Sequence, residues 1–239
     1  MLASYVGLLT FRRISTLKKI GLQKTLEVVI FQLPEIKNLR QTPSSIGSVI
    51  WSYYLFFWHG VLLQLARRKI KSNTGVYSTR EINKDSEVKH LLTKLKSQII
   101  VIRGGRILTR STLEAFHGLW INIHGGILPG YRGLDSHIWA VKNGQMDQIG
   151  VTAHVATSTV DRGPIVKTRR VDVWSEDSWG AVENRIEKAA DELHIWMHNL
   201  DDLPQGMDTL LGNSASAYFG AYKPRPNKYQ KIKDFHDGK

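Results

Sequence analysis

The sequence contains no cysteine among its 239 residues. This absence excludes disulfide bonds, thiolate metal sites and a cysteine nucleophile, and it suits a reducing compartment. The N-terminus also lacks the order of basic, apolar and small residues that marks a secretory signal. Zinc-finger spacings, RNA-binding aromatic motifs and internal repeats are missing as well. We therefore expect a cytoplasmic protein without a bound metal, and we do not expect a nucleic-acid partner.

Acidic residues are scarce, because 21 Asp and Glu stand against 33 Lys and Arg and the formal net charge is +12. Such an excess of positive charge favours a polyanionic partner. The basic residues are dispersed along the chain, which argues against a dedicated nucleic-acid surface. The composition therefore leaves a phosphorylated substrate and an anionic membrane surface open as partners and makes nucleic acid the minority interpretation.

Hydrophobic periodicity predicts a chain in which helices and strands alternate. The length and a hydrophobic content of 42% suffice for one well-packed core. Near the N-terminus we predict a helix over residues 11–24, a strand over 26–33 and a loop over 35–43. The apolar side of that helix should consist of Phe11, Ile14, Leu17 and Leu22. Further strands are predicted at 75–79, 98–105, 119–124, 150–157 and 163–173, and further helices at 85–96, 109–116, 137–144 and 175–200.

Short strand–helix–strand units argue for parallel crossovers, because consecutive parallel strands need a long connection that is usually a helix. We therefore predict an α/β fold with an open, mostly parallel, Rossmann-like sheet and helices on both faces. This domain should span residues 1–200, with its principal motifs in 75–175 and a divergent part in 1–74. Residues 201–239 should form a basic, loop-like C-terminal extension.

Residues 46–66 carry no formal charge and are followed directly by a basic cluster. About 20 apolar residues suffice to cross a bilayer, but this run also contains serines, tyrosines, a histidine and a glutamine. We predict an additional apolar helix near residues 45–70, capped by Ser44 or Ser45. Three interpretations stay open: a helix in the core or in a homodimer contact, a peripheral membrane contact through residues 46–71, or a membrane span.

The stretch NIHGGILPGYRG, residues 122–133, begins within a predicted strand. Asn122 and His124 lie two residues apart in that strand, so their side chains point to the same face. The glycines after them let a ligand approach the backbone closely. Parallel sheets bind ligands at the loops that follow their strands, and the loop after a later strand brings Asp161. A hydrogen-bonded histidine or a turn aspartate would explain either side chain alone, so a site is indicated only by the three together.

NIHGGILPGYRG, followed by WAVKNG and GVTAHVATSTVDRGPIV, resembles the folate-dependent formyltransferase family. That family includes glycinamide ribonucleotide transformylase, methionyl-tRNA formyltransferase and the sugar N-formyltransferases. Its usual pattern is Asn-x-His-Pro-Ser-Leu-Leu-Pro-x-x-x-Gly, a Trp-Ala helix, and a Gly-Val-Thr strand leading to Asp-x-Gly-Pro-Ile. The resemblance covers residues 75–175. Gly125 and Gly126 replace the usual Pro-Ser, which should loosen the loop after His124.

By position, the resemblance implies that Asn122, His124 and Asp161 form a catalytic trio. It also implies 10-formyltetrahydrofolate as the co-substrate and no metal. The residues expected to contact the folate, largely through their backbone, are Ile102, Arg103, Gly104, Gly105, Arg106, Ile107, Thr157, Ser158 and Val160. The residues expected to contact the other substrate are Arg132, Gly126 and Tyr131.

The implied reaction transfers a formyl group to an amine, and negative charge develops on the formyl oxygen. Asn122 and a protonated His124 are expected to stabilise that charge. Asp161 is expected to take the proton that the amine loses, directly or through water. His154, on the strand before Asp161, is a weaker candidate and is expected to be a packed, hydrogen-bonded side chain.

The favoured acceptor is the amine of a nucleotide-linked amino-dideoxy sugar used for surface polysaccharide, such as the O-antigen of lipopolysaccharide. The positive charge suits a phosphorylated acceptor, and 239 residues leave no room for the large C-terminal domain of the tRNA enzyme. Three alternatives stay open: a glycinamide ribonucleotide-type formyltransferase, a formyl-folate hydrolase, and a non-catalytic family member that acts as a binding module.

Overall fold

The computed structural model describes residues 2–23, 26–32, 46–200 and 218–236. The chain forms two compact units, Met1–Gly118 and Leu119–Lys239. Each unit has its own strands, helices and buried apolar side chains. The predicted loop 35–43 and the predicted caps Ser44 and Ser45 lie outside the described residues.

The first unit contains four parallel strands in the order β3-β2-β1-β4. Their bounds are Ala3–Leu8 (β1), Leu26–Gln32 (β2), Val76–Thr79 (β3) and Ile99–Arg103 (β4). β2 and β4 are buried along their entire length, which explains why both are mostly continuous apolar runs in the sequence. The prediction of parallel strands is confirmed for this unit.

Among its described residues the first unit has four α-helices: Phe11–Gln23 (α1), Ile46–Lys69 (α2), Ser86–Lys94 (α3) and Arg110–Leu113 (α4). α3 begins after Asp85, whose carboxylate accepts hydrogen bonds from the backbone N–H groups of Glu87 and Val88. Such a cap satisfies amide groups that have no partner inside the helix. The four helices lie where the periodicity of the sequence predicted them.

The apolar side of α1 is narrower than predicted. Ile14 and Leu17 are buried, whereas Phe11 and Leu22 are exposed. In a helix of 3.6 residues per turn, both exposed side chains lie more than a third of a turn away from the direction that the buried residues share. The prediction was wrong for Phe11 and Leu22 for this reason.

The predicted apolar helix is α2, and it continues through the basic cluster to Lys69. Its aromatic surface, which we define as Tyr53, Tyr54, Phe56, Phe57 and Trp58, is exposed. A helix in the core would bury such side chains, so the core interpretation is wrong for this stretch. Among the residues that the structure describes, no helix is long and apolar enough to cross a membrane.

The second unit contains three antiparallel strands in the order β5-β7-β8. The strands of this unit are Leu119–His124 (β5), Arg132–Gly133 (β6), Gly150–Val155 (β7), Ile165–Arg170 (β8) and Tyr218–Phe219 (β9). The prediction of parallel strands does not extend to β7 and β8. The connection between them, residues 156–164, is too short for the crossover that a parallel neighbour needs. The fold class is nevertheless the predicted one, an α/β fold with mostly parallel strands.

The helices of the second unit are Ser136–Lys142 (α5), Trp179–His198 (α6) and Ile232–His236 (α7). α6 packs against β5, β7 and β8. It begins after Ser178, whose hydroxyl accepts a hydrogen bond from the backbone N–H of Ala181. Its buried apolar residues, Val182, Ile186, Ala189 and Leu193, recur every three or four positions as an amphipathic helix requires.

Residues 218–236, predicted to be a loop-like extension, are mostly irregular but contain two short regular elements. β9 pairs with β6 in a small parallel sheet, and α7 packs against α5. The indole ring of Trp139 stacks on Phe219 and meets Tyr222 edge-on. Aromatic side chains spread along this segment therefore attach it to the second unit, and this long-range packing has no local signal in the sequence.

A buried histidine pair on α6 should make the stability of the fold depend on pH. The Nε2 atoms of His194 and His198 lie 3.1 Å apart, both side chains are buried, and burial lowers the pKa of His198 to about 3. The unfolded chain, with an ordinary histidine pKa, takes up a proton below about pH 6.5 that the folded chain does not bind. The contribution of His198 to stability is therefore complete above pH 6.5 and is lost as the pH falls.

Because of His198, we expect the free energy of unfolding to fall by about 1.4 kcal/mol for each pH unit as the pH is lowered from 6.5 to 5. His198→Gln should flatten that slope, because glutamine does not titrate. Urea unfolding at several pH values measures the slope, and His117→Gln, on an exposed histidine, serves as the control. A slope that is identical in the wild type and in His198→Gln would contradict the prediction.

Candidate active site

Two neighbouring strands place four polar side chains on one face of the sheet. Asn122 and His124 share a face of β5, and in the antiparallel register they lie opposite His154 and Thr152 of β7. Directly opposed residues of an antiparallel pair point to the same face. The amide Nδ2 of Asn122 lies 3.1 Å from Nε2 of His154. The predicted pair is therefore joined by a second histidine.

Backbone carbonyls decide which nitrogen of each histidine carries the hydrogen. A carbonyl oxygen only accepts hydrogen bonds, so the ring nitrogen that contacts it must be the donor. His124 donates from Nε2 to the carbonyl of Tyr131 at 2.7 Å, and His154 donates from Nδ1 to the carbonyl of Val155 at 2.9 Å. In the neutral rings, Nδ1 of His124 and Nε2 of His154 are therefore acceptors.

Asp161 lies between these two acceptor nitrogens. Its Oδ2 is 3.6 Å from Nδ1 of His124 and its Oδ1 is 3.4 Å from Nε2 of His154. The backbone N–H of Gly133 donates a hydrogen bond to Oδ2 at 2.9 Å. The three residues of the predicted trio are thus brought together, since Asn122 also lies 3.5 Å from the Asp161 carboxylate.

The path that brings Asp161 to the site differs from the predicted one. The prediction used the carboxyl end of a parallel strand, but β7 runs antiparallel to β5. The loop after β7 instead turns back toward the histidines, with Asp161 in the left-handed region at φ 52°. Aspartate and asparagine tolerate that conformation better than most residues.

Burial controls the charges in this cluster, because His124, His154 and Asp161 are each less than a tenth exposed. Burial lowers the pKa of His124 in spite of the nearby carboxylate. Burial acts to raise the pKa of Asp161, but pairing of the ionised carboxylate with the protonated forms of His154 and His124, together with the hydrogen bond from the Gly133 N–H, lowers it. At neutral pH the free site thus holds an ionised Asp161 beside a neutral His124, whereas the sequence-based mechanism assumed a protonated His124.

The double glycine after His124 lies in a loop that is tied to the sheet. The hydroxyl of Thr152 donates to the carbonyl of Gly126 at 2.8 Å and accepts from the backbone N–H of Leu128 at 3.2 Å. Gly125 has open space where a Cβ would lie. Gly126 is buried, and a Cβ there would come within 2.8 Å of His124 and Ser136. These contacts anchor the loop that the glycines were expected to loosen.

All three predicted substrate contacts are buried, and two of them, Arg132 and Tyr131, support the neighbouring loops. The guanidinium of Arg132 donates to the carbonyl of Val160 at 3.1 Å and lies over the ring of Tyr218 at 5.8 Å. The hydroxyl of Tyr131 donates to Gln145 at 2.5 Å. Contact of Arg132, Tyr131 and Gly126 with a substrate stays a prediction.

Six of the nine predicted folate contacts, residues 102–107, lie in the first unit. Gly104 has a φ of 57°, which favours glycine. The backbone N–H of Arg106 donates to the amide oxygen of Gln32 at 2.7 Å, and the Arg106 guanidinium pairs with Glu81. Gln32, the last residue of β2, therefore supports this loop, although the sequence analysis assigned it no role.

The other three predicted folate contacts, Thr157, Ser158 and Val160, lie in the second unit. Thr157 and Ser158 are exposed, and the Thr157 hydroxyl donates to the carbonyl of Thr159 at 2.9 Å. Folate contact stays a prediction for all nine residues. Within the described ranges, no three His, Cys, Asp or Glu side chains are grouped so that they could hold a metal.

His154 is the packed, hydrogen-bonded side chain that was expected, and as the weaker candidate it also lies 3.4 Å from Asp161. Its place opposite Asn122 would have followed from an antiparallel pairing of the two strands. Ser136 was not predicted as a residue of the site. Ser136 is buried with its hydroxyl 3.3 Å from Nε2 of His124, and no local pattern indicates that contact.

Residues 61–197 match the sequence profile of the family described as formyl transferase. This segment is more than half of the chain and contains the whole cluster. The chain therefore belongs to the formyl transferase family.

The individual relatives differ in the substrate that their names state. The methionyl-tRNA formyltransferase of Thermosynechococcus vestitus is 28% identical over 137 residues, which are 57% of this chain and 40% of that protein. The phosphoribosylglycinamide formyltransferase of Escherichia coli is 31% identical over 104 residues, 43% of this chain and 49% of that protein. The chain thus spans less than half the length of these two relatives.

A solved sugar N-formyltransferase from Shewanella has the same fold. It superimposes with a TM-score of 0.58 and 13% identity, and the match covers 99% of this chain and 86% of that chain. Such an identity shows the fold and leaves the substrate undetermined. The fold class predicted from the sequence is thereby confirmed.

Proposed function

We propose that this chain is an N-formyltransferase that moves a formyl group from 10-formyltetrahydrofolate to the amine of a phosphorylated small molecule. The observation that carries the proposal is the convergence of half-buried Asn122 with buried His124 and Asp161 in a member of the formyl transferase family. An amide donor, an imidazole and a carboxylate are the groups that acyl transfer between two nitrogens needs.

The polar groups of this cluster suit the chemistry of a formyl carbonyl. Asn122 offers N–H hydrogens in a buried site, where a hydrogen bond to a developing negative charge is stronger than in water. His124 offers Nδ1, because its other nitrogen is held by the carbonyl of Tyr131. Asp161 offers a negative charge close to that Nδ1.

The mechanism follows from these atoms. When bound, 10-formyltetrahydrofolate supplies a formyl carbon attached to its N10. Asn122 donates a hydrogen bond to the formyl oxygen as the amine bonds to the carbon and the carbonyl electrons move onto that oxygen. His124 accepts the proton of the attacking amine at Nδ1 and delivers it to N10 when the carbon–N10 bond breaks. Asp161 stabilises the imidazolium that exists between these two steps.

This mechanism assigns the proton to His124, whereas the sequence-based mechanism assigned it to Asp161. The pKa of Asp161 is lowered, so its carboxylate is a weak base. The neutral His124 has a lone pair at Nδ1 and becomes the charged partner of Asp161 once it is protonated. His124 therefore acts as the base, and the Asp161 carboxylate stabilises its protonated form, as in other imidazole–carboxylate pairs.

For the acceptor we propose a nucleotide-linked amino-dideoxy sugar that is used for surface polysaccharide, including O-antigen lipopolysaccharide. The formal net charge of +12 favours a phosphorylated acceptor, and the fold is shared with a sugar N-formyltransferase. Glycinamide ribonucleotide, the acceptor of the Escherichia coli relative by its name, is the second candidate, because it is also a phosphorylated amine.

Product analysis with a panel of acceptors tests the proposal. We expect the full chain, supplied with 10-formyltetrahydrofolate, to form an N-formyl product with a nucleotide-linked amino sugar. If only glycinamide ribonucleotide gives an N-formyl product, the proposed reaction is supported and the proposed acceptor is wrong. Release of formate in the absence of any amine would show that the chain is a formyl-folate hydrolase. If neither a folate analogue nor a nucleotide sugar raises the melting temperature, that result favours the non-catalytic binding module over the enzyme.

We also propose a peripheral membrane contact through the aromatic surface of α2. Its exposed rings are followed by Arg67, Arg68 and Lys69 in the last turn of the helix. Aromatic rings beside basic residues suit the interface of an anionic bilayer. Co-sedimentation with anionic vesicles tests this contact, and a dimer detected at the same surface by light scattering would replace it.

A further inference from the structure

Because Gly126 has no side chain, the side chains of Ser136 and His124 share the space beside it. A Cβ built on Gly126 would lie 2.6 Å from Cβ of Ser136 and 2.8 Å from both the Ser136 hydroxyl and Nε2 of His124. Real side chains do not approach so closely, because atoms at these distances overlap. The backbone of Gly126 is not in the left-handed region, so lack of space and not backbone strain requires glycine here.

Ser136, the first residue of α5, occupies this space. Its hydroxyl lies 3.3 Å from Nε2 of His124 and 3.3 Å from the carbonyl of Tyr131. The Tyr131 carbonyl also accepts the hydrogen of His124 Nε2 at 2.7 Å. A hydroxyl can donate to the carbonyl and accept from the ring N–H at the same time. The imidazole edge that faces away from Asp161 is therefore held by two oxygens, one from the backbone and one from Ser136.

We infer that Gly126 and Ser136 form a matched pair that positions the His124 ring. This inference deepens the proposed function and rests on it, because the ring so held directs Nδ1 toward Asp161. The family pattern has a serine at position 126 in the chain, whereas here a hydroxyl reaches the same space from Ser136 of α5. Ser136 is thus a positioning residue that acts through His124.

The hydroxyl should also favour the protonated ring, because an oxygen that accepts from Nε2–H stabilises the imidazolium. The other titratable or charged groups that face His124 are Asp161, His154 and Arg132. These three are unchanged in variants of Ser136. A shift in the titration of His124 in such variants is therefore attributable to the hydroxyl.

The first test is Ser136→Ala in the full chain. We expect kcat to fall about fivefold with KM nearly unchanged, as for the loss of one hydrogen bond, and Ser136→Thr to restore it. In an NMR titration, the His124 ring should titrate at a lower pH in Ser136→Ala than in the wild type. An unshifted titration would overturn the inference, even if kcat fell. Because the titration needs no turnover, it decides the matter even if the proposed formyl transfer fails.

The second test is a double-mutant cycle between Gly126→Ser and Ser136→Gly. Gly126→Ser alone should lower the melting temperature, because the new side chain overlaps Ser136. Adding Ser136→Gly should recover most of that loss by removing the overlap. Gly125→Ser is the matched control, since a Cβ at Gly125 meets nothing within 4 Å. Strictly additive losses in the double variant would overturn the matched pair.

Discussion

Asp161→Asn is expected to lower the rate of formyl transfer at least about a hundredfold and to leave the protein folded. Asparagine has the same shape, tolerates the left-handed backbone at this position, and can still accept the hydrogen bond of the Gly133 N–H. It has no charge with which to stabilise a protonated His124. The rate constant kcat/KM and the melting temperature, measured on the same preparation, separate the loss of chemistry from a loss of fold.

Asp135→Asn is a matched control for this variant. Asp135 has the same φ of 52°, and its carboxylate pairs with Arg225 and accepts from the backbone N–H of Tyr222. The same substitution is thus made in the same backbone conformation, on a carboxylate that is bonded to Arg225 and Tyr222 instead of to the histidines. We expect Asp135→Asn to keep a near-normal rate. Near-normal transfer by Asp161→Asn would remove Asp161 from the mechanism.

His124→Asn is the second substitution for which we expect a loss of at least about a hundredfold. It removes the Nδ1 acceptor, and asparagine cannot carry the proton from the amine to N10. The rate of product formation with the preferred acceptor measures the loss. His117→Asn, on an exposed histidine of the first unit, is the control and should be without effect.

The pH dependence adds a sharper test of His124. Burial lowers the pKa of His124 below its ordinary value of 6.5, and only the neutral ring can accept a proton. As the pH falls, the wild-type kcat/KM should therefore stay constant through 6.5 and decline only as the pH passes through the lowered pKa. The residual rate of His124→Asn should lack this decline. If the decline persists in His124→Asn, another group is the base.

Much of the site could be predicted from adjacent residues. Asn122 and His124 are two residues apart in a strand, and the period of two alone places them on one face. The stretch after them contains the glycines and proline that end regular structure. Such features depend on neighbouring residues, which a sequence shows directly.

Other parts of the site depend on residues that are far apart in the chain. The antiparallel pairing of β5 with β7 puts His154 opposite Asn122 across 32 positions, whereas the crossover rule led us to expect parallel strands. The contact of Ser136 with His124 depends on the space above Gly126. Neither can be derived from a local pattern, because strand direction and side-chain packing are settled by the whole unit.

The sequence by itself determined the class of fold and the positions of nearly all helices and strands, because periodicity is local, and it indicated the trio of polar residues through the resemblance of its motifs to a family. Only the tertiary structure decided the tautomers of the two histidines, the charge on His124, and the attachment of residues 218–236. These properties arise from burial and from contacts between distant residues, and the free energies involved exist only once the chain has folded.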